Sequence, residues 1–304
     1  MSVMPEIIAI AISDLHLSLM APACRADKDW LAVQAHYLQQ VKDIAEDLPV
    51  LCSGDIFDRW NPPPELIHFA LVHLPDGMIS VPGQHDLPNH RIDQVNRSGY
   101  GVLMEAEKIR DVSRQKTGNM GGFIIHGFGW GQEITPPIEL SSLLHIALIH
   151  RYCWEGEKRY LGAPIESEAS TFKKELRGYQ IAIFGDNHFS FVTRAGECNI
   201  LNPGGFIRRK SDEINREPCV GIVYDNGTVK RRRLDTTIDT FHEETKERGE
   251  TPLDMRAFIK GLEGLGEHGL DFREAVKNHL RGDDIEEATK EIIWQMLDKK
   301  PTEV

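Results

Sequence analysis

Five short apolar runs in this chain of 304 residues each end on residues that can bind a metal ion. Residues 7–12, Ile-Ile-Ala-Ile-Ala-Ile, run into Ser13-Asp14-Leu15-His16. Val50-Leu51-Cys52 runs into Ser53-Gly54-Asp55-Ile56-Phe57-Asp58-Arg59. Residues Met78 to Val81 lead to Pro82-Gly83-Gln84-His85-Asp86, His145 to Ile149 to His150, and Ile181 to Phe184 to Gly185-Asp186-Asn187-His188. The first run is continuously apolar, which fits a strand covered on both faces. Open α/β sheets place their ligands at the carboxyl ends of such strands. A fold that aligns these ends therefore gathers carboxylates and imidazoles along one edge.

The intervening segments support that pattern. Asp27 is a candidate N-cap for a helix over 28–47, whose apolar positions Trp30, Leu31, Tyr37, Leu38, Val41 and Ile44 keep mostly three- or four-residue spacing. Pro62-Pro63-Pro64 opens a second helix that reaches Leu74. Strand, helix, strand, helix, strand predicts an α/β domain with right-handed crossovers. Residues 87–122, rich in Asn, Arg, Ser and Gly, read as an insertion over the mouth of the site, with a short element near Gly101–Arg110. Further strands are expected at Phe123–His126 and Asn199–Leu201, and an exposed helix over Glu166–Arg177. Val220–Tyr224 and Thr228–Arg232 flank Asp225-Asn226-Gly227, a strong hairpin signal, so the domain is expected to close near residue 235.

The strand ends suggest a chemistry. Two divalent metals roughly 3.5–4 Å apart can share one bridging carboxylate, and Asp55 is the natural bridge. Asp14, His16 and His188 can complete one metal; Gln84 through its amide oxygen, with His150 and Asp186, can complete the other. Such a pair makes a nucleophile of water near neutral pH, suited to in-line attack on phosphorus. His85 is then placed to protonate the leaving oxygen, with Asp86 fixing its tautomer. His126 also ends an apolar run, but His150 stands one strand before Asp186 and His188 and is preferred. His36, His68 and His73 fall on expected helices and read as packing or surface residues.

Taken together, Asp14-x-His16, Gly54-Asp55-x-x-Asp58-Arg59, Gly83-x-His85-Asp86, His150 and Gly185-x-x-His188 resemble the five signatures of the calcineurin-like metallophosphoesterases over about residues 6–235. The stretch from Phe57 to Leu66 looks most like the SbcD-type nuclease subunits of bacterial SbcCD complexes. The resemblance implies a two-sheet β-sandwich of the α/β class flanked by helices, with a dinuclear metal centre. It also implies DNA phosphodiester hydrolysis, Mn²⁺ as the cation with Mg²⁺ as the alternative, an SbcC-like coiled-coil ATPase partner, and room for a homodimer. Two positions depart from the family pattern: Gln84 stands for the usual Asn, and Asp186 for the first His of a Gly-His-x-His motif. Both keep a ligating atom, and the oxygen-rich set leans toward hard cations. The Gln form points to a phage- or prophage-borne relative.

Substrate contacts are less local. Arg208-Arg209-Lys210 follows the Asn202-Pro203-Gly204 turn and is a candidate phosphate-backbone contact through Arg208 and Arg209. Arg59 either meets substrate or pairs with Asp58 to brace its loop. Lys230-Arg231-Arg232-Arg233 reads first as a solvated strand face. The net charge of −12 disfavours tight, unaided binding of nucleic acid by the chain as a whole.

Beyond 235 the composition changes. Residues 236–304 carry seventeen acidic and ten basic residues, an acidic helical appendage that either packs on the catalytic domain or meets a partner. Helices are expected after Thr251-Pro252, over Leu270–Leu280, and along the stripe Ile285, Ala288, Ile292 and Met296. Five scattered cysteines without a Cys-x-x-Cys pair suggest free thiols, and with no signal peptide or spanning run the expected location is the cytoplasm. The rival functions are hydrolysis of a small phosphate ester or nucleotide, and a non-catalytic subunit that docks a partner.

Overall fold

The structure, a computed structural model, describes residues 4–114, 122–137, 142–160 and 162–243. The chain divides into two units, Met1–Gly249 and Glu250–Val304. The helices expected in the acidic appendage lie outside the described residues.

Two mixed sheets build the first unit. In chain order its elements are β1 (Ile7–Ile12), α1 (Trp30–Ala45), β2 (Val50–Cys52), α2 (Pro64–His73), β3 (Met78–Ser80), α3 (Gly99–Glu105) and β4 (Ile109–Asp111). Then come β5 (Phe123–Phe128), β6 (Leu144–His150), β7 (Ile181–Gly185), β8 (Phe191–Ala195), β9 (Cys198–Asn202), β10 (Cys219–Tyr224) and β11 (Val229–Arg233). The first sheet has the order β11-β10-β1-β2-β3-β4 and the second β5-β6-β7-β9-β8. Strands β1 to β4 are mutually parallel, as are β5, β6, β7 and β9; β10 and β8 run against their sheets, and β11 pairs antiparallel with β10.

Alternation within the apolar runs explains the layering. Successive strand residues point to opposite faces. Ala9, Ala11, Leu51 and Ile79 pack against Ile125, Ile146, Leu148, Ile183 and Leu201 to make the core between the sheets. Ile10, Ile12 and Cys52 face the other way, onto Val33, Tyr37, Leu38 and Val41 of α1. On the outer side of the second sheet, Ala147, Ile149, Ala182 and Phe184 pack under Phe172 and Leu176. Stacked sheets with aligned strand ends place the loops after β1, β2, β3, β6 and β7 together.

Several local expectations are corrected. Asp29, not Asp27, caps α1 by accepting from Ala32 N at 2.9 Å. Asp27 instead pairs with Arg25 at 2.6 Å, because a buried guanidinium outbids the helix end. Residues 87–114 are not an insertion: short 3₁₀ turns and α3 lead to β4, which extends the first sheet beside β3. Their polar composition reflects turns, which hid the three-residue strand. Glu166–Arg177 is not a regular helix but two 3₁₀ segments, Ile165–Ser167 and Ala169–Lys173, with Phe172 buried. Strand β8 carries an alternating signal that sequence reasoning missed. The first unit also continues past 235: Asp239 is held by Arg25 at 2.9 Å, Arg208 at 2.7 Å and the Tyr37 hydroxyl at 2.9 Å. All five cysteines are free and buried. No helix among the described residues is long and apolar enough to cross a membrane.

Candidate metal centre

The turns after β1 and β2 are zipped together. Asp14 N donates to Gly54 O at 3.0 Å, His16 N to Asp55 O at 2.9 Å, and Leu17 N to Ile56 O at 2.9 Å. The chain must turn sharply as it leaves each strand, and Asp14, His16, Asp55 and Asp186 all adopt positive φ, at 50, 45, 55 and 77°. Non-glycine residues held there are strained, a feature that gathers at functional sites. Gly54 has φ 96° and no room for a side chain, since a Cβ would strike the His150 ring and Gly83 N. At Gly83 a Cβ would strike the Asp55 carboxylate. The two glycines let the three loops close on one point.

All seven sequence-predicted ligands meet there. Asp14, Asp55 and His150 are each 1% exposed and His16 is 5% exposed. Asp55 Oδ2 sits between two imidazoles, 3.7 Å from His16 Nε2 and 3.6 Å from His150 Nε2. His16 Nε2 lies 3.2 Å from His188 Nε2. Asp14, His16 and His188 can offer donors within 4.8 Å of one another, as can Asp14, Asp55 and His150, and also His16, Asp55 and His85. Gln84, His150 and Asp186 are bonded to one another: His150 Nε2 lies 2.6 Å from Gln84 Oε1, and Gln84 Nε2 donates to Asp186 Oδ1 at 2.7 Å.

Electrostatics follow from burial. Desolvation pushes the Asp55 carboxyl well up, and the Asp86 and Asp14 charges add to it while His150 opposes. Burial pulls His150 down, but the Asp55, Asp14 and Asp186 carboxylates outweigh it and raise the ring to about 9. Oxygens at both nitrogens, Ser53 O at 2.5 Å from Nδ1 and Gln84 Oε1 from Nε2, fit that protonated form. His16 goes the other way, lowered by burial and by the neighbouring His188 and Arg209.

The donor set fits divalent cations. Asp14 Oδ2 and Asp55 Oδ2 are buried with no hydrogen-bond partner, and carboxylate oxygens left dry in this way are expensive unless they hold a cation. Bound there, such cations polarise a phosphoryl oxygen and supply a nucleophile from water at neutral pH. The chain's own part is to orient its ligands. His188 Nδ1 lies 3.3 Å from Glu213 Oε1. Burial raises the Glu213 carboxyl, but His188, Arg216 and the Arg209 N–H overcome it and hold it down at about 2. Glu213 thus stays anionic behind the imidazole, an orientation device common around metal-bound histidines.

His85 lines the cleft and is exposed. Its Nδ1 lies 2.8 Å from Asp58 O, a pure acceptor, so Nδ1 carries hydrogen and Nε2 is left for proton transfer. The role expected of Asp86 is therefore corrected. Asp86 is fully buried, and its carboxylate accepts from Gly83 N, Ile56 N and Phe57 N at 3.0, 3.3 and 3.2 Å. It shapes the loops around Asp55, while the Asp58 carbonyl sets the His85 tautomer.

The three arginines separate. Arg209 lines the cleft, donates to His16 O and pairs with Asp58 at 2.8 Å. Arg208, one residue away, points into the protein, bonded to Asp239, to Ile214 O and to Thr236 O. It is a brace and not a substrate contact. Arg59 is exposed on a side groove with Leu19, Met20 and Pro62, and Asp58 chooses Arg209 over it. His126 lies 3.1 Å from His145 and is not among the cleft-lining residues.

The cleft holds about 730 Å³. Sequence reasoning missed Glu213, the aromatic rim of Trp130, Tyr152, Tyr160 and Phe189, and Asn187, whose amide ties the loop carbonyls of Cys153 and Lys158 at 2.7 and 2.8 Å. No spacing rule marks Glu213; Asn187 stood in view between two ligands.

Strand ends that converge on buried, cation-seeking carboxylates define a metal-dependent phosphoesterase. The chain belongs to the calcineurin-like phosphoesterase family, whose signature matches residues 9–188. Sequence comparison with curated proteins finds no match. Among solved structures it is similar to TT1561 of Thermus thermophilus, at 14% identity over 75% of this chain and 99% of that one, with TM-score 0.43. It is also similar to the calcineurin-like phosphoesterase YfkN of Bacillus subtilis, at 13% identity over 79% and 94%, with TM-score 0.41. A third is an archaeal phosphodiesterase, at 12% identity over 74% and 99%, with TM-score 0.39.

Proposed function

We propose that the chain hydrolyses phosphodiester bonds in DNA, as an SbcD-type nuclease subunit that works with a coiled-coil ATPase. The observation that carries the reading is the make-up of the cleft walls. His16, Asp55, Gln84, Asp186 and His188 line its floor; Lys210 supplies a cation beside Arg209 and Arg216, which Asp58 and Glu213 hold in place, and Trp130, Tyr152, Tyr160 and Phe189 supply ring faces. Cations match phosphates and rings match unstacked bases, the pairing that single-stranded nucleic acid calls for. The resemblance of Phe57 to Leu66 to the SbcD-type subunits agrees with it. Mn²⁺ is the proposed cation, because three carboxylates and an amide oxygen stand beside three imidazoles.

A nucleotide or small ester is the second reading. It is favoured by the Tyr152–Tyr160 pair, whose rings pack on each other with centroids 4.8 Å apart and can offer an outer face to one base. Docking of the ATPase is assigned to the acidic appendage, outside the described residues.

One comparison tests the choice: Mn²⁺-dependent hydrolysis of DNA, of bis-p-nitrophenyl phosphate and of free nucleotides by the full chain. DNA cleavage at a kcat/KM above that of the small ester supports the nuclease. Turnover of nucleotides with intact DNA supports the second reading and overturns the first.

A further inference from the structure

A second groove opens beside the metal cleft. It holds about 710 Å³ and shares Phe189, Asp212 and Arg216 with the cleft, so the two adjoin. It lies at the seam where β8, one edge of the second sheet, approaches β11, one edge of the first. Lys158, Arg216, Lys230, Arg231 and Arg233 line it with Asp212 and Glu217; Glu217 pairs with Arg233 at 2.8 Å and Glu213 with Arg216, which leaves Lys158, Lys230 and Arg231 as the surplus over Asp212. That balance is the reverse of the chain's, which is −12 overall.

The pleat of β11 explains the placement. Val229, Arg231 and Arg233 share one face by the two-residue period. Val229 belongs to the core between the sheets, so Arg231 and Arg233 prolong that face outward into the groove. The Arg231 guanidinium is steadied by Ser190 O at 3.0 Å, an acceptor that leaves its charge unneutralised. The floor is apolar: Phe189 and Val192 line it, and Val192 is 40% exposed. Arg216 stands at the junction with the cleft, its guanidinium 4.8 Å from the Phe189 ring centroid. Its Nη1 is buried 3.1 Å from Glu213 Oε1 without a hydrogen bond.

We infer that this seam groove binds the sugar–phosphate backbone of an unpaired DNA strand continuing from the metal cleft. The inference rests on the DNA reading above and extends it to a second site. Cations along the rim can meet phosphates, and the apolar floor can meet base faces, a combination suited to single strands. A charged edge strand also resists pairing with another chain's edge; that role alone would leave DNA binding untouched.

The test is fluorescence anisotropy of a labelled oligothymidine with the full chain, in chelator, across a salt series. It compares wild type with the Arg231→Glu/Arg233→Glu double variant and with Lys158→Glu. None of these residues lines the metal cleft, so Mn²⁺-dependent turnover of bis-p-nitrophenyl phosphate should be unchanged and certifies folding. The double variant should bind at least about tenfold more weakly, and its slope of log affinity against log salt should shrink by about 0.7 for each phosphate no longer neutralised. Lys158→Glu should show a smaller decrease in the same direction and serves alone if the double variant does not fold.

Equal affinity of wild type and folded variants overturns the groove, while DNA cleavage by both keeps the nuclease reading. No binding by wild type at low salt also overturns it. Tighter binding of the matching duplex, with the same weakening in the variants, overturns the unpaired-strand assignment. Groove-dependent binding by a wild type that never cleaves DNA upholds the groove and overturns the nuclease reading.

Discussion

The two walls of the metal centre are built differently. On one, the turns after β1 and β2 present Asp14 Oδ2 and Asp55 Oδ2, both buried without a hydrogen-bond partner. On the other, Gln84, His150 and Asp186 satisfy one another at 2.6 and 2.7 Å. The first wall is incomplete without a cation. The second can be satisfied by hydrogen bonds among its own side chains, which a cation must displace. One shared site can therefore hold two positions of unequal affinity. The departures at Gln84 and Asp186 make that second arrangement, since the Gln84 amide reaches the Asp186 carboxylate.

The strongest way to break the comparison is Asp55→Asn. A neutral amide between two cations bridges poorly, so turnover of bis-p-nitrophenyl phosphate should vanish and bound Mn²⁺, measured by elemental analysis, should fall. Full activity with both metals retained would end the two-cation reading.

His85→Ala comes next. This residue is not among the seven candidate ligands and is read as a proton donor through Nε2. Its removal should lower kcat by about 100-fold or more, with metal content near that of wild type. A collapse of metal content would make His85 a ligand, which its place within 4.8 Å of His16 and Asp55 donors allows to be checked.

Glu213→Gln sharpens the comparison from behind. Removing the anion that faces His188 Nδ1 should weaken metal binding by about 10- to 100-fold, the range for such outer partners, and saturating Mn²⁺ should restore most of kcat. A fall in kcat that Mn²⁺ does not rescue would show that Glu213 acts on substrate.

Asp186→His is the smallest expected effect. It removes the carboxylate that Gln84 holds and exchanges an oxygen donor for nitrogen. The order of activating metals should move toward Zn²⁺ or Co²⁺, and calorimetric titration should show the two binding steps closer together. An unchanged metal order with unchanged steps would remove Asp186 from the ligand set.

The seven candidate ligands were legible because each is tied to a strand end. A continuous apolar run, a turn residue and a polar side chain are neighbours in the chain, and the physics that links them is local. The crossovers then align the strand ends almost by necessity. The same logic located α1 and the β10–β11 hairpin.

What only the tertiary structure decided is partner choice across long separations. Arg208 and Arg209 are adjacent, yet one is spent on Asp239 and the other on Asp58. Asp86 faces three backbone N–H groups instead of the histidine beside it. Lys230 to Arg233 reads as a solvated face until β8 is brought beside β11 and turns part of it into a groove wall. In each case the side chain had several partners of similar chemistry, and chain order did not rank them. Burial did: a charge enclosed by the fold must take the nearest compensating group, and which group is nearest is a property of the packed sheets.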